Sequence, residues 1–133
     1  MEDPLAGADS VGFAAVPFEL EWLRSPAEWA AEPARLVVSA PAHTDWFIDP
    51  ISARAVRTAP VLVGPPPTGD FTWAAHVALD GDAMFDAVGL FVYDDDDHWA
   101  KLALEVTAAG PTIVSVRRSG YKLTVHHSAT SAA

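Results

Sequence analysis

The stretch 85–105, FDAVGLFVYDDDDHWAKLALE, constrains the chain more than any other. It reads as two β-strands joined by an acidic turn. Side chains along a strand alternate between faces. Val88, Leu90 and Val92 therefore share one face, with Gly89, Phe91 and Tyr93 on the other. On the second strand Ala100, Leu102, Leu104 and Val106 share a face, and Trp99, Lys101, Ala103 and Glu105 take the opposite one. Both purely aliphatic rows are expected to face the core. A slip of one residue would turn one of them outward, so Leu90 is expected opposite Leu102 and Val88 opposite Leu104. That register sets Tyr93 opposite Trp99 and Phe91 opposite Lys101, with Asp94 to His98 as the loop.

The second face has two readings. Aromatic rings beside one Lys and one Glu form either a second buried layer or a solvated face with a salt bridge, both common in sheets. Alternatively they form a ligand platform, the rings giving apolar area and the polar groups orientation. The candidate ligand-binding residues are Phe91, Tyr93, Trp99, Lys101 and Glu105, with Trp46 expected nearby.

The rest of the chain is punctuated by turns. Residues 1–15 read as a disordered leader, small and acidic at its start. Val16 to Leu23 alternates as a strand, Phe18, Leu20 and Trp22 on one side and Glu19 and Glu21 on the other. Ser25 and Glu28 have capping-box spacing, which predicts at most one helical turn, with Trp29 packed inward. Arg35 to Ala40 is a short strand, Trp46 and Phe47 lie on opposite faces of a strand end, and Ala59 to Val63 is a short apolar piece. Asp70 to Leu79, DFTWAAHVAL, is predicted as a clear strand, Phe71, Trp73, Ala75, Val77 and Leu79 forming one row. Ile113 to Arg118 is the next strand, with Val114 and Val116 on one face. Lys122 to Ala133 is read as a divergent tail that could add a strand. Seven or eight short strands without a substantial helix predict an all-β antiparallel sandwich.

Composition narrows the function. A net charge of −10 argues against nucleic-acid partners and against docking on an anionic membrane. With no cysteine, disulfides and thiolate metal sites are excluded. Neither His43 with Asp45 and Asp49 nor the run Asp94 to Asp97 has an established ligand spacing. A solvated turn that discourages edge-to-edge pairing accounts for the run, and no metal or cofactor is expected. The chain shows neither a secretory signal nor a bilayer-spanning stretch, so a cytoplasmic location is the default.

Several segments together resemble a known family. They are PFELEW (17–22), TDWFIDP (44–50), Ala59-Pro60, Gly69-Asp70-Phe71, the glycine-containing strand from Phe85 to Phe91, WAKLALE (99–105) and Val114-Ser115-Val116. The chain is similar over about 16–121 to the "regulation of enolase" family, uncharacterised bacterial proteins. The resemblance implies a cytoplasmic concanavalin A-like jelly roll over 16–121 and no catalytic residues. It lapses at KLTVHHSATSAA, residues 122–133, where the family continues with further strands. The expected sandwich is therefore incomplete at its C-terminal end, with an exposed edge or an uncovered apolar face.

Three functions follow in order. The first is a non-catalytic binding module for a carbohydrate or similar small ligand. The second is a regulatory or scaffold protein acting through a protein partner, as the family name and the negative charge suggest. The third, a glycoside hydrolase, needs two carboxylates flanking the scissile bond. The relevant strand offers Glu105 alone, and the chain has no GxSxG nucleophile motif.

Overall fold

Short turns and β-branched runs set how these strands pair. The computed structural model describes residues 10–49, 51–120 and 122–129. Its strands are β1 (Ser10–Val11), β2 (Leu20–Arg24), β3 (Glu28–Glu32), β4 (Arg35–Ser39), β5 (Trp46–Ile48), β6 (Ala55–Arg57), β7 (Val61–Val63), β8 (Ala87–Asp95), β9 (His98–Thr107), β10 (Gly110–Ser119) and β11 (Lys122–Ala129). All pairings are antiparallel and no helix occurs among the described residues, consistent with an all-β sandwich.

The chain divides into two compact units, 1–49 with 54–70 and 50–53 with 71–133. The first holds the sheet β1-β2-β7 and the ribbons β3-β4 and β5-β6. Its buried side chains are Val11, Leu20, Trp46, Ile48 and Val61. Leu20 and Trp22 lie on the less exposed row of β2, as the alternation requires, and Glu21 is exposed. A bulge between Trp22 and Arg24 adjusts β2 to β7.

Two features of this unit differ from the sequence reading. Glu28 opens β3 instead of capping a helical turn, because Glu28–Glu32 finds a ladder partner in Arg35–Ser39 across Pro33-Ala34. A pairing of five residues overrides a cap that had no helix to support it. Trp29 packs against Trp22 at 5.6 Å between ring centroids, so the inward packing holds. Of the stretch read as leader, residues 1–9 lie outside the described residues, while Ser10 and Val11 pair with β2 and Val11 is buried.

The second unit is built on one four-stranded sheet in the order β11-β10-β9-β8, a meander in which every neighbour follows in sequence. The register of its first hairpin is the expected one: Val88 opposite Leu104, Leu90 opposite Leu102, Phe91 opposite Lys101 and Tyr93 opposite Trp99. A shift between Tyr93 and Asp95 pairs Asp95 with His98 and shortens the loop to Asp96-Asp97. Of the divergent tail, 122–129 forms β11 along the length of β10, and 130–133 lies outside the described residues.

Which face is buried is the reverse of the expectation. The aliphatic row is the open one: Val92 is 58 % exposed and Leu102 49 %. The opposite face carries the buried residues Trp99, Thr112, Val114, Val116 and Arg118. Both rows carry large apolar side chains, and the ring-bearing row gains more by leaving water, since an aromatic side chain brings about 150–250 Å² to a core. The predicted strand at 70–79 also fails to form. The segment carries no ladder, and Phe71, Trp73 and Val77 are exposed.

Gly89 controls the hairpin. A Cβ there would overlap the carbonyl oxygen of Leu102 and come within 2.6 Å of the Ala103 Cα, both backbone atoms that no side-chain rotation can clear. Gly89→Ala is expected to destabilise the protein by about 1–3 kcal/mol, the usual cost of overpacking. A denaturant midpoint that does not move would show that β8 and β9 have room to separate.

Candidate functional site

The rows of β8 to β11 assemble one chemically distinct face. Register places Tyr93, Trp99, Arg118 and Leu123 side by side, then Phe91, Lys101, Val116 and Val125, then Gly89, Ala103, Val114 and His127, then Ala87, Glu105 and Thr112. Five of the six candidate residues, Phe91, Tyr93, Trp99, Lys101 and Glu105, thus share this face. Trp46 belongs to β5 in the first unit, where it is buried and its backbone N–H donates to Asp45 Oδ1 at 2.7 Å.

The aromatic cluster is contiguous. Phe91 stacks on Tyr93 with centroids 5.8 Å apart and planes 23° apart, and meets Trp99 at 5.9 Å. The Lys101 ammonium stands 6.0 Å from the centroid of the Trp99 ring, the outer range of a cation–π contact. Phe91, Tyr93, Lys101 and Glu105 are half-buried, whereas Trp99 is only 4 % exposed. Its indole Nε1 is buried and has no hydrogen-bond partner among the described residues. Leaving such a donor unsatisfied costs roughly 1–3 kcal/mol. Glu105 is the one carboxylate in the paired rows of this face, where a glycosidase would need two.

Arg118 is the functional-looking residue that the sequence reading missed. It is 7 % exposed, on the aromatic face directly opposite Trp99. Its Nε donates to the Gly120 carbonyl at 2.9 Å and its Nη1 to the Asp96 carbonyl at 2.9 Å, while Nη2 meets Asp97 Oδ1 at 2.8 Å. One guanidinium therefore ties the β8–β9 turn to the end of β10. The signal was present: continuing the alternation Val114, Val116 by one step puts Arg118 in the buried row.

The aspartate run serves this turn. Tyr93 donates its hydroxyl to Asp96 Oδ1 at 2.6 Å. Asp95 Oδ1 accepts from the Asp97 amide and from His98 Nδ1, each at 2.8 Å. Among the described residues no group of three or more His, Cys, Asp or Glu is placed to hold a metal ion.

Hydrogen bonding by His98, and then by the Asp97 amide, holds the Asp95 carboxyl below its ordinary value. A depressed carboxyl supports the folded state above its unfolded pKa, and that support fades as pH falls through the lowered value. In an NMR titration Asp95 is expected to ionise below the ordinary aspartate range and to move upward in His98→Ala. An unchanged midpoint in that variant would rule out His98 as the main cause.

No curated protein and no solved structure matches the chain. No helix among the described residues is long and apolar enough to cross a membrane. A family model matches residues 22–122, from the middle of β2 to the first residue of β11, and so takes in the whole aromatic face apart from the outer part of β11. On that match the chain belongs to the family described as protein of unknown function DUF1349.

Proposed function

We propose that this protein is a non-catalytic binding module for a small, hydroxyl-rich ligand of the carbohydrate type, taken at the Phe91–Tyr93–Trp99 cluster of a jelly-roll domain. The observation that carries the reading is the contiguous ring cluster of Phe91, Tyr93 and Trp99, half-buried at Phe91 and Tyr93, with the Trp99 indole N–H beside it unpartnered among the described residues. A native interior rarely keeps a donor without an acceptor. A ligand oxygen would satisfy it, and the stacked rings of Phe91 and Tyr93 offer the flat apolar area on which sugar C–H faces rest. Lys101 and Glu105 supply orienting charges on either side of small Ala103. With a single carboxylate on the face, binding is favoured over hydrolysis.

The test uses the tryptophan indole resonances of the protein with a panel of mono- and oligosaccharides. Ligand binding is expected to shift the Trp99 indole N–H signal. Trp99→Phe keeps a ring in the core and removes the donor, and is expected to weaken binding by about tenfold, the worth of one hydrogen bond of ~1.4 kcal/mol. A Trp99 signal that no saccharide moves, or binding unaffected by Trp99→Phe, would sink the reading.

A further inference from the structure

The segment Phe71–Leu79 has the composition of a strand and pairs with no strand among the described residues. Phe71, Trp73, Ala75, Val77 and Leu79 alternate with Thr72, Ala74, His76 and Ala78. No residue from 71 to 79 belongs to a ladder, and no backbone hydrogen bond joins the segment to any described residue. Phe71 is 49 %, Trp73 37 % and Val77 40 % exposed. A row of free N–H and C=O groups beside exposed apolar side chains is a template for another strand.

We propose that the occupant is the same segment of a second copy, so that two chains pair through 71–79 in an antiparallel, two-fold ladder centred on Ala75. The sequence is self-complementary about that residue. Phe71 falls opposite Leu79 of the partner subunit, Trp73 opposite Val77 of the partner subunit, and Ala75 opposite Ala75 of the partner subunit. Each large ring thus meets an aliphatic side chain, a favourable cross-strand pair, and the small residue sits on the axis. An isologous contact of this kind closes on itself. Charge agrees. Each copy carries −10, yet 71–79 contains no Asp, Glu, Lys or Arg, so the copies meet along an uncharged stretch. Asp70 and Asp80 bound it and fall opposite one another in this register. Their repulsion limits the ladder to the nine residues between them. A single strand pair is small beside a standard interface of about 1,600 Å², so the dimer is weak and needs trapping.

The chain has no cysteine, which makes the trap clean. Residues directly opposite in an antiparallel pair have Cα atoms about 4.5–5.5 Å apart, within disulfide range. Ala75 is exposed and belongs to no ladder among the described residues, so a thiol there leaves the fold intact. Under mild oxidation full-length Ala75→Cys is expected to form a covalent dimer. Thr72→Cys is expected to stay monomeric, because its symmetry mate lies about 20 Å along the ladder. Adding Ala74→Pro and Val77→Pro to Ala75→Cys removes a ladder N–H whichever set of residues faces the partner, and is expected to abolish the cross-link. A monomeric Ala75→Cys, equal cross-linking of Thr72→Cys, or a dimer that survives the prolines would each overturn the proposal.

Discussion

The close approach of β8 and β9 at Gly89 is the constraint on which the second unit rests. With no Cβ at that position, the backbone at Leu102 and Ala103 comes close enough to fix which residue stands opposite which. The register then propagates by pairing. Tyr93 stands beside Trp99, Trp99 beside Arg118, and Arg118 within reach of the turn it braces. Moving the β8–β9 register by one would put Tyr93 and Trp99 on opposite faces and shift the Asp96 carbonyl and the Asp97 carboxylate away from Arg118, leaving a buried guanidinium short of two of its partners, a costly arrangement.

Much of this was legible in the residues. Alternation gave the strands of the hairpin, and the demand that aliphatic rows stay together gave its register residue by residue. The five residues of the aromatic face came out together for the same reason. What alternation could not decide was which face water sees. Val88, Leu90 and Val92 are as apolar as Phe91 and Tyr93, and a strand apolar on both sides carries no inside or outside by itself. Ring area decided it in favour of the Trp99 side.

The failures at Ser25–Glu28 and at 70–79 are opposite in kind. A capping signal says how a helix would start but supplies no helix, and the nearby β4 offered five residues of pairing instead. Phe71–Leu79 has all that a strand needs locally and finds no edge among the described residues. Local pattern therefore reports the capacity for structure, while partner availability decides its realisation. Arg118 shows a third limit. Read as a type, an arginine at a strand end belongs to the surface. It is buried because three oxygens converge on it, two of them backbone carbonyls that no side-chain pattern announces.

The two units also differ in how far apart in sequence their partners lie. In the sheet β8 to β11 each strand pairs with the one next to it in the chain, across turns of two residues. In the first unit, Trp22 of β2 pairs with Leu62 of β7, separated by 40 positions (62 minus 22). Closing a long loop costs entropy before its contacts give anything back. On the ribosome, β2 must wait for β5, β6 and the Ala59-Pro60 step to emerge before its outer edge is covered. The meander can zip up hairpin by hairpin as it appears. The order of synthesis therefore runs against the order of intrinsic folding speed, and the slower unit is the one made first.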